Sequence, residues 1–238
     1  MSKILIETFN KKAARYDQLH SKYGTPKWYI EKQRKECTLA MINKKGKLLD
    51  VACGTGTYLL ELSKYNDCFG IDISENMIRQ CRGKNINNVF IGNYENLPFK
   101  DNIFDTIICI NAIQYTEDPV KVLNEMNRVL KNGEIIVSFL NSLCPRNLIR
   151  IIRNLFRKKV IIERRYSPLI FFKKCAKAEL KVIDICGFNF LPYKSDSERR
   201  NIVVMRICER FEKKIRKTPI KYFGNELIIK LIKHKEQN

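Results

Sequence analysis

Histidine is nearly missing from this 238-residue chain, which has only His20 and His234, and tryptophan occurs once. No two of its nine cysteines are closer than Cys175 and Cys186. With so little imidazole and no close cysteine pair, a zinc site has almost no ligands to draw on, and no metal is expected. An odd number of widely spaced cysteines does not make a disulfide framework either. They read as reduced, mostly buried small apolar residues. Long apolar runs are also lacking. The longest uncharged stretches, Thr106–Thr116 and Ile135–Pro145, fall well short of the ~18–20 residues that span a bilayer. The opening sequence MSKILIETFNKKAARYD carries a charge every few residues and has no apolar signal core. A cytoplasmic protein is expected, with peripheral contact as its mode of meeting a membrane.

Acidic residues are outnumbered, 25 against 45 Lys+Arg, for a formal charge of +20. A hydrophobic content of 45% still provides for a large core and excludes wholesale disorder. The charge is uneven. Residues 1–47 carry 12 basic and 4 acidic side chains, 48–142 carry 8 and 12, 143–175 carry 10 and 1, and 194–238 carry 13 and 6. A mildly acidic centre is thus wrapped in basic sequence, which favours an anionic partner for the periphery.

From Lys47 onward apolar runs alternate with amphipathic ones. KLLDVA, DCFGIDIS, NVFIGN, FDTIICIN and EIIVSFL read as strands; TYLLELSKY, SENMIRQCRG and DPVKVLNEMNRVLKNG read as helices, the last closed by Gly133. LKVIDICGFNF and NELIIKLIK supply sixth and seventh strands. Such alternation predicts an α/β fold with a mostly parallel sheet and right-handed crossovers. Two basic segments interrupt it. PRNLIRIIRNLFRKK sets Leu148, Ile149, Ile151, Ile152, Leu155 and Phe156 opposite Arg146, Arg150, Arg153 and Arg157. SERRNIVVMRICERFEKKIRK pairs Ile202, Val203, Ile207, Phe211 and Ile215 with a basic face.

The densest signal is LLDVACGTG, residues 48–56: a strand, a glycine turn and a helix. Glycine admits a ligand close to the backbone, and the helix start offers free N–H groups. Leu59 stands where a dinucleotide fingerprint needs its third glycine, and the Gly-Lys-Ser/Thr of a phosphate loop is absent. Asp72, at the end of the second strand, is placed to accept both hydroxyls of a ribose. With GNYENLPFKDNIFD, CINAIQY and MNRVLKNGEIIV following in order, the sequence resembles the class I S-adenosylmethionine-dependent methyltransferases. The match is close from Lys47 to about Leu140 and extends in strand order to the C-terminus.

The resemblance implies a Rossmann-like seven-stranded sheet, helices on both faces and an antiparallel last strand, in a single domain, 1–238. Residues 1–46 would be a helical lid and 47–142 the cofactor core. Residues 143–175 and 191–224 would be basic insertions over the acceptor site. It implies S-adenosylmethionine as cofactor. Asp50, Ala52, Gly54 and Gly56 would then hold its methionine half and Asp72 its ribose. Ile73, Met77, Asn93 and Tyr94 would enclose its adenine. Asn111 and Ala112 would face both cofactor and acceptor, Tyr16 would close over the site, and Arg34 would pair with the methionine carboxylate. Ala52 replaces the first glycine of the usual loop, and Asn93 replaces the commoner aspartate. The histidine that often follows strand four is absent. Gln114 and Tyr115 stand there, which leaves His20 and Tyr115 as candidate bases.

Asparagine, basic insertion, helix and strand after strand five is an order similar to that of the ubiquinone-biosynthesis O-methyltransferases. That likeness implies a small or lipid-linked acceptor methylated on oxygen or nitrogen. An arginine-faced amphipathic segment can also lie in the headgroup region of an anionic membrane. Two alternatives stay open: an RNA methyltransferase that uses the basic periphery, and a non-catalytic cofactor-binding subunit.

Overall fold

The computed structural model describes residues 3–43, 45–145, 163–190, 202–216 and 218–234. Seven strands form one sheet: β1 Lys47–Val51, β2 Asp67–Asp72, β3 Val89–Ile91, β4 Phe104–Cys109, β5 Leu130–Leu140, β6 Leu180–Phe188 and β7 Glu226–Lys233. Their order is β3-β2-β1-β4-β5-β7-β6. The pairs among β1 to β5 are parallel, and β7 runs antiparallel to both β5 and β6. The expected seven-stranded, mostly parallel sheet with an antiparallel last strand is therefore what the chain forms. Strand order reverses between β1 and β4, and a crevice opens there at the carboxyl ends of the strands.

The described helices are α1 Lys3–Ser21, α2 Pro26–Met41, α3 Leu59–Leu62, α4 Glu75–Arg82, α5 Pro119–Val129, α6 Pro168–Lys177 and α7 Ile202–Ile215. Successive strand side chains point to opposite faces, so sequence neighbours enter different cores. Leu48, Ile108, Ile136 and Ile228 pack on one face with Met41, Leu59, Leu62 and Ile78. Leu49, Ile107, Ile135 and Ile229 pack on the other with Val122, Met126, Phe171 and Cys175. These strand residues have no exposed surface, and each such side chain contributes roughly 1.5–3 kcal/mol of burial. Four helix starts are capped locally. The hydroxyls of Thr25, Ser74 and Ser167 and the carboxylate of Asp118 accept N–H bonds from the first turns of α2, α4, α6 and α5. Proline fills the first helical turn in three of them.

Two expectations need correction. Gly133 does not end α5. The helix stops at Val129, and Gly133 lies inside β5, where a Cβ would fall 1.6 Å from the Asp105 carbonyl oxygen. Close strand approach is what demands glycine here. Nor are all nine cysteines reduced: Cys37 of α2 and Cys186 of β6 form a disulfide across 149 residues. His20 lies in the last turn of α1. Of the first basic insertion, 143–175, residues 146–162 lie outside the described residues; of the second, 191–224, residues 202–216 and 218–224 are described and include α7.

Charged groups fasten α2 to the sheet. Arg34 donates from Nε and Nη2 to the Glu226 carboxylate at 2.6 and 2.7 Å, and also pairs with Glu31. Lys230 reaches Glu134 at 2.6 Å and the Met41 carbonyl at 2.8 Å, while Glu134 accepts the Asn43 N–H. Arg34, Glu134, Glu226 and Lys230 are all buried.

Candidate functional site

β1 runs out into a loop with three left-handed residues: Ala52 at φ 61°, Gly54 at 55° and Gly56 at 78°. For alanine this conformation costs about 1–2 kcal/mol. A Cβ at Gly54 would meet no protein atom within 4 Å, because the space before it is the cavity. At Gly56 a Cβ would lie 2.5 Å from Ile86, so that glycine serves packing and does not line the cavity. Asp72, at the end of β2, accepts the Gly54 N–H on Oδ2 at 2.9 Å and the Ser74 N–H on Oδ1 at 2.8 Å. It thereby joins the loop to the start of α4. Burial pushes its carboxyl above the usual carboxylate range, against the pull of those backbone bonds.

Two adjoining chambers occupy the crevice. An apolar one is lined by Leu5, Phe9, Ile71, Asp72, Ile73, Met77, Gly92, Tyr94, Ala112 and Tyr115. A charged one, wider and more open, is lined by Asp17, His20, Trp28, Glu31, Arg34, Asp50, Thr55, Tyr58 and Lys84 among others. Tyr16, Ala52, Gly54, Ile110 and Asn111 line both. Asp50 is 1% exposed, and its Oδ2 has no hydrogen-bond partner in the structure. Burial first, then the neighbouring Asp72 charge, pushes its carboxyl up to about 8. A buried oxygen left without a partner is costly, and here it faces a chamber that would admit a cation. The Tyr94 hydroxyl is likewise buried and unpartnered.

Helix α1 roofs the crevice and is fastened at two places. Asn10 accepts from the Ser74 hydroxyl on Oδ1 at 2.6 Å, and its backbone carbonyl accepts from Asn76 Nδ2 at 3.2 Å. Asp17 accepts the Thr55 hydroxyl and pairs with Lys84, both at 2.5 Å. Tyr16 belongs to this roof, and burial pushes its phenol up. Leu5, Phe9 and Asp17 escaped the reading of the sequence. The only available sign was the amphipathic start of the chain, which places them on one helix without saying what that helix covers.

At the end of β4, Asn111 is also left-handed, at φ 56°. Its N–H donates to the Ser138 hydroxyl, and its Oδ1 accepts from Gln114 Nε2, both at 2.7 Å. Tyr115 stands edge-on to Phe9, and its hydroxyl reaches Glu163 at 3.5 Å. Burial pushes this phenol up to about 12. The His20 ring lies tilted against Tyr16, with centroids 4.3 Å apart, and its Nδ1 bonds the Tyr16 carbonyl at 2.6 Å. Asn93 does not line the cavity; its Oδ1 accepts the Glu95 N–H in a tight turn. Arg34 lines the charged chamber, but Glu226 and Glu31 already occupy its guanidinium. Among the described residues no cluster of three His, Cys, Asp or Glu could hold a metal ion.

Known proteins share these features. Residues 49–138 match the family model of the methyltransferase domain. Demethylmenaquinone methyltransferase of Staphylococcus haemolyticus is 36% identical over 138 residues, 54% of this chain and 57% of that protein. The enzyme of the same name from Staphylococcus saprophyticus is 32% identical over 141 residues, 55% and 59% of the two chains. The match thus spans little more than half the length of these relatives. Among solved structures, a Haloferax volcanii methyltransferase in complex with the Trm112 activator superposes with a TM-score of 0.70 at 19% identity, covering 98% of this chain and 99% of that one. Magnesium protoporphyrin IX methyltransferase of Synechocystis, solved with bound S-adenosylhomocysteine, gives 0.68 at 14% identity, covering 97% and 98%. Residues 49–138 thus resemble a methyltransferase domain, and the fold as a whole is shared with solved methyltransferases.

Proposed function

We propose that the chain transfers the methyl group of S-adenosylmethionine to a small or lipid-linked acceptor. The observation that carries this reading is the orphaned, buried Asp50 oxygen facing one chamber while Asp72 faces the next, with Ala52 and Gly54 between them. The donor groups fit the cofactor. Asp50 would take its ammonium group. Asp72 keeps lone pairs for ribose hydroxyls after binding Gly54 and Ser74. Leu5, Phe9, Ile73, Met77 and Tyr94 would enclose its base. Gly56 and Asn93 would act by shaping the loop and turn behind these contacts.

When bound, the cofactor supplies an electrophilic methyl group on a sulfonium centre. The protein's part is to position. Asn111 and Tyr115 border the wall that an acceptor would approach, and Tyr16, the roof residue shared by both chambers, would exclude water. Holding two reactants near contact distance replaces a bimolecular encounter and removes several kcal/mol of barrier. Neither candidate base is required for that. Tyr115 keeps its proton at neutral pH, so it would serve as a wall and hydrogen-bond donor. His20 reaches the charged chamber next to Tyr16, where it could accept a proton from an incoming hydroxyl or amine.

A small or lipid-linked acceptor is supported by the demethylmenaquinone methyltransferases among the relatives and by the apolar walls of the cavity. The test is to incubate the chain with methyl-labelled cofactor and a fractionated cell extract. Label is expected in the lipid or small-molecule fraction, and the product's spectra then name the atom, oxygen or nitrogen in the sequence reading. Label confined to RNA would replace this acceptor class. Cofactor binding unchanged by Asp72→Ala would overturn the pocket itself.

A further inference from the structure

Helix α7 turns its two acidic side chains inward. Glu212 is fully buried and accepts the N–H groups of Asn189 and Phe190 at 3.1 Å. Glu209 is held by Lys32 of α2 and by Lys213, both at 2.9 Å. Val203, Ile207 and Phe211 point the other way and are 68%, 62% and 54% exposed. Spaced four apart, they line one stripe on the helix surface. Beside it stand Arg206, Arg210 and Lys214, all exposed and with no carboxylate within ion-pair distance among the described residues. A solvent-facing helix normally mixes both charge signs; this one presents only apolar and cationic groups. The short 3-10 turn Pro219–Phe223, packed beside α7, adds exposed Ile220 and Phe223.

We infer that this face of α7 is a docking surface for an anionic lipid bilayer. Charge complementarity chooses the occupant. Three unpaired cations beside an apolar stripe suit the boundary between acyl chains and acidic headgroups, where the stripe sinks in and the cations meet phosphates. A second copy of this chain would instead bring the same cations together. No described helix is long and apolar enough to cross a membrane, so contact would be peripheral. α7 is bound to α2, and α2 lines the charged chamber through Trp28, Glu31 and Lys32. Docking would therefore bring the crevice near the bilayer. This inference rests on the lipid-linked reading above only for its purpose; the surface stands on its own geometry.

The experiment is flotation of the full chain with vesicles of phosphatidylcholine alone or mixed with phosphatidylglycerol, at low and high salt. Binding is expected only to the anionic vesicles, weakening with salt. Arg206→Glu/Arg210→Glu/Lys214→Glu should weaken it at least about tenfold, since each cation near such a surface contributes on the order of 1 kcal/mol. Ile207→Ser/Phe211→Ser should weaken it at low and high salt alike. Labelled cofactor binding, measured on the same samples, should be unchanged in both variants, which shows that they fold and separates this test from that of the activity. Failure of the unaltered chain to float, or equal flotation of the charge-reversed variant, overturns the proposal. A dimer that Ile207→Ser/Phe211→Ser dissociates overturns it in favour of a second copy.

Discussion

The hydroxyl of Thr55, in the glycine loop, donates to the carboxylate of Asp17, in the roof helix, at 2.5 Å. The same carboxylate holds Lys84, so one side chain ties α1 to the loop after β1 and to the turn after α4. Asp17→Asn keeps the shape and removes the charge. It should raise the cofactor dissociation rate several-fold, and Asp17→Ala more, because a hydrogen bond to a charged group is worth about 1.5–3 kcal/mol before solvent screening. Stopped-flow release of labelled cofactor would show this, with a smaller effect at high salt for the Asn form. Unchanged release would mean that α1 is not a lid.

Asp50 gives a pH prediction. Its folded carboxyl titrates near 8, above its ordinary value of 3.8. Between these values the folded chain holds a proton that the unfolded chain has lost. This group's contribution to stability is therefore full below about pH 4 and falls as pH rises toward 8. Asp50→Asn should flatten that decline and raise the melting temperature at pH 8 while abolishing cofactor binding. A bound ammonium group favours the ionised form, so calorimetry near pH 7 in buffers of different ionisation enthalpy should show close to one proton released per cofactor bound. Zero release would contradict the assignment of Asp50.

Ala52 sits where an L-residue is strained. Ala52→Gly should leave stability unchanged or raise it by up to about 1 kcal/mol, relief of strain outweighing the added freedom of the unfolded chain. Ala52→Val should lower stability by about 2 kcal/mol or more, since a β-branched residue is worse in that conformation, and should block the cavity between the chambers. Urea unfolding and equilibrium cofactor binding measure the two effects separately.

Glu226→Gln tests the internal role of Arg34. Removing one member of a buried pair leaves the other charge uncompensated, at a cost of about 3–5 kcal/mol. Thermal unfolding should register that loss, with a much smaller loss for Glu31→Gln, whose side chain is 28% exposed. Equal losses would mean that Arg34 is shared differently from the geometry described.

Much of the architecture was legible because it is written in neighbouring residues. Pairs such as Leu48 and Leu49 or Ile135 and Ile136 announce strands buried on both faces, and Ser74 or Asp118-Pro119 announces a helix start. The loop Ala52–Gly56 and Asp72 stood out for the same reason. What stayed illegible depends on distant partners. Arg34 meets Glu226 across 192 residues, Cys37 meets Cys186 across 149, and nothing local to either tells which wins. Gly133 looked like a helix stop because glycine serves both ends, and only the proximity of Asp105 distinguishes them. The left-handed Asn111 gave no local sign, since its conformation is held by Ser138 on the next strand. Leu148–Phe156, which the sequence offers as a cover for the acceptor, lies outside the described residues.

Helix α2 rests on the sheet through Arg34, Glu226, Lys230 and Glu134 as well as through hydrocarbon. Hydrocarbon contacts tolerate sliding, because many offsets bury similar area; paired charges do not, because each offset but one strands a charge. The wall that α2 contributes to the charged chamber is therefore indexed, like a ratchet with a single tooth engaged. Substrate preference in relatives built this way would be expected to drift through exchanges of the inward side chains on that wall, such as Trp28 and Glu31, while the wall itself stays at one setting.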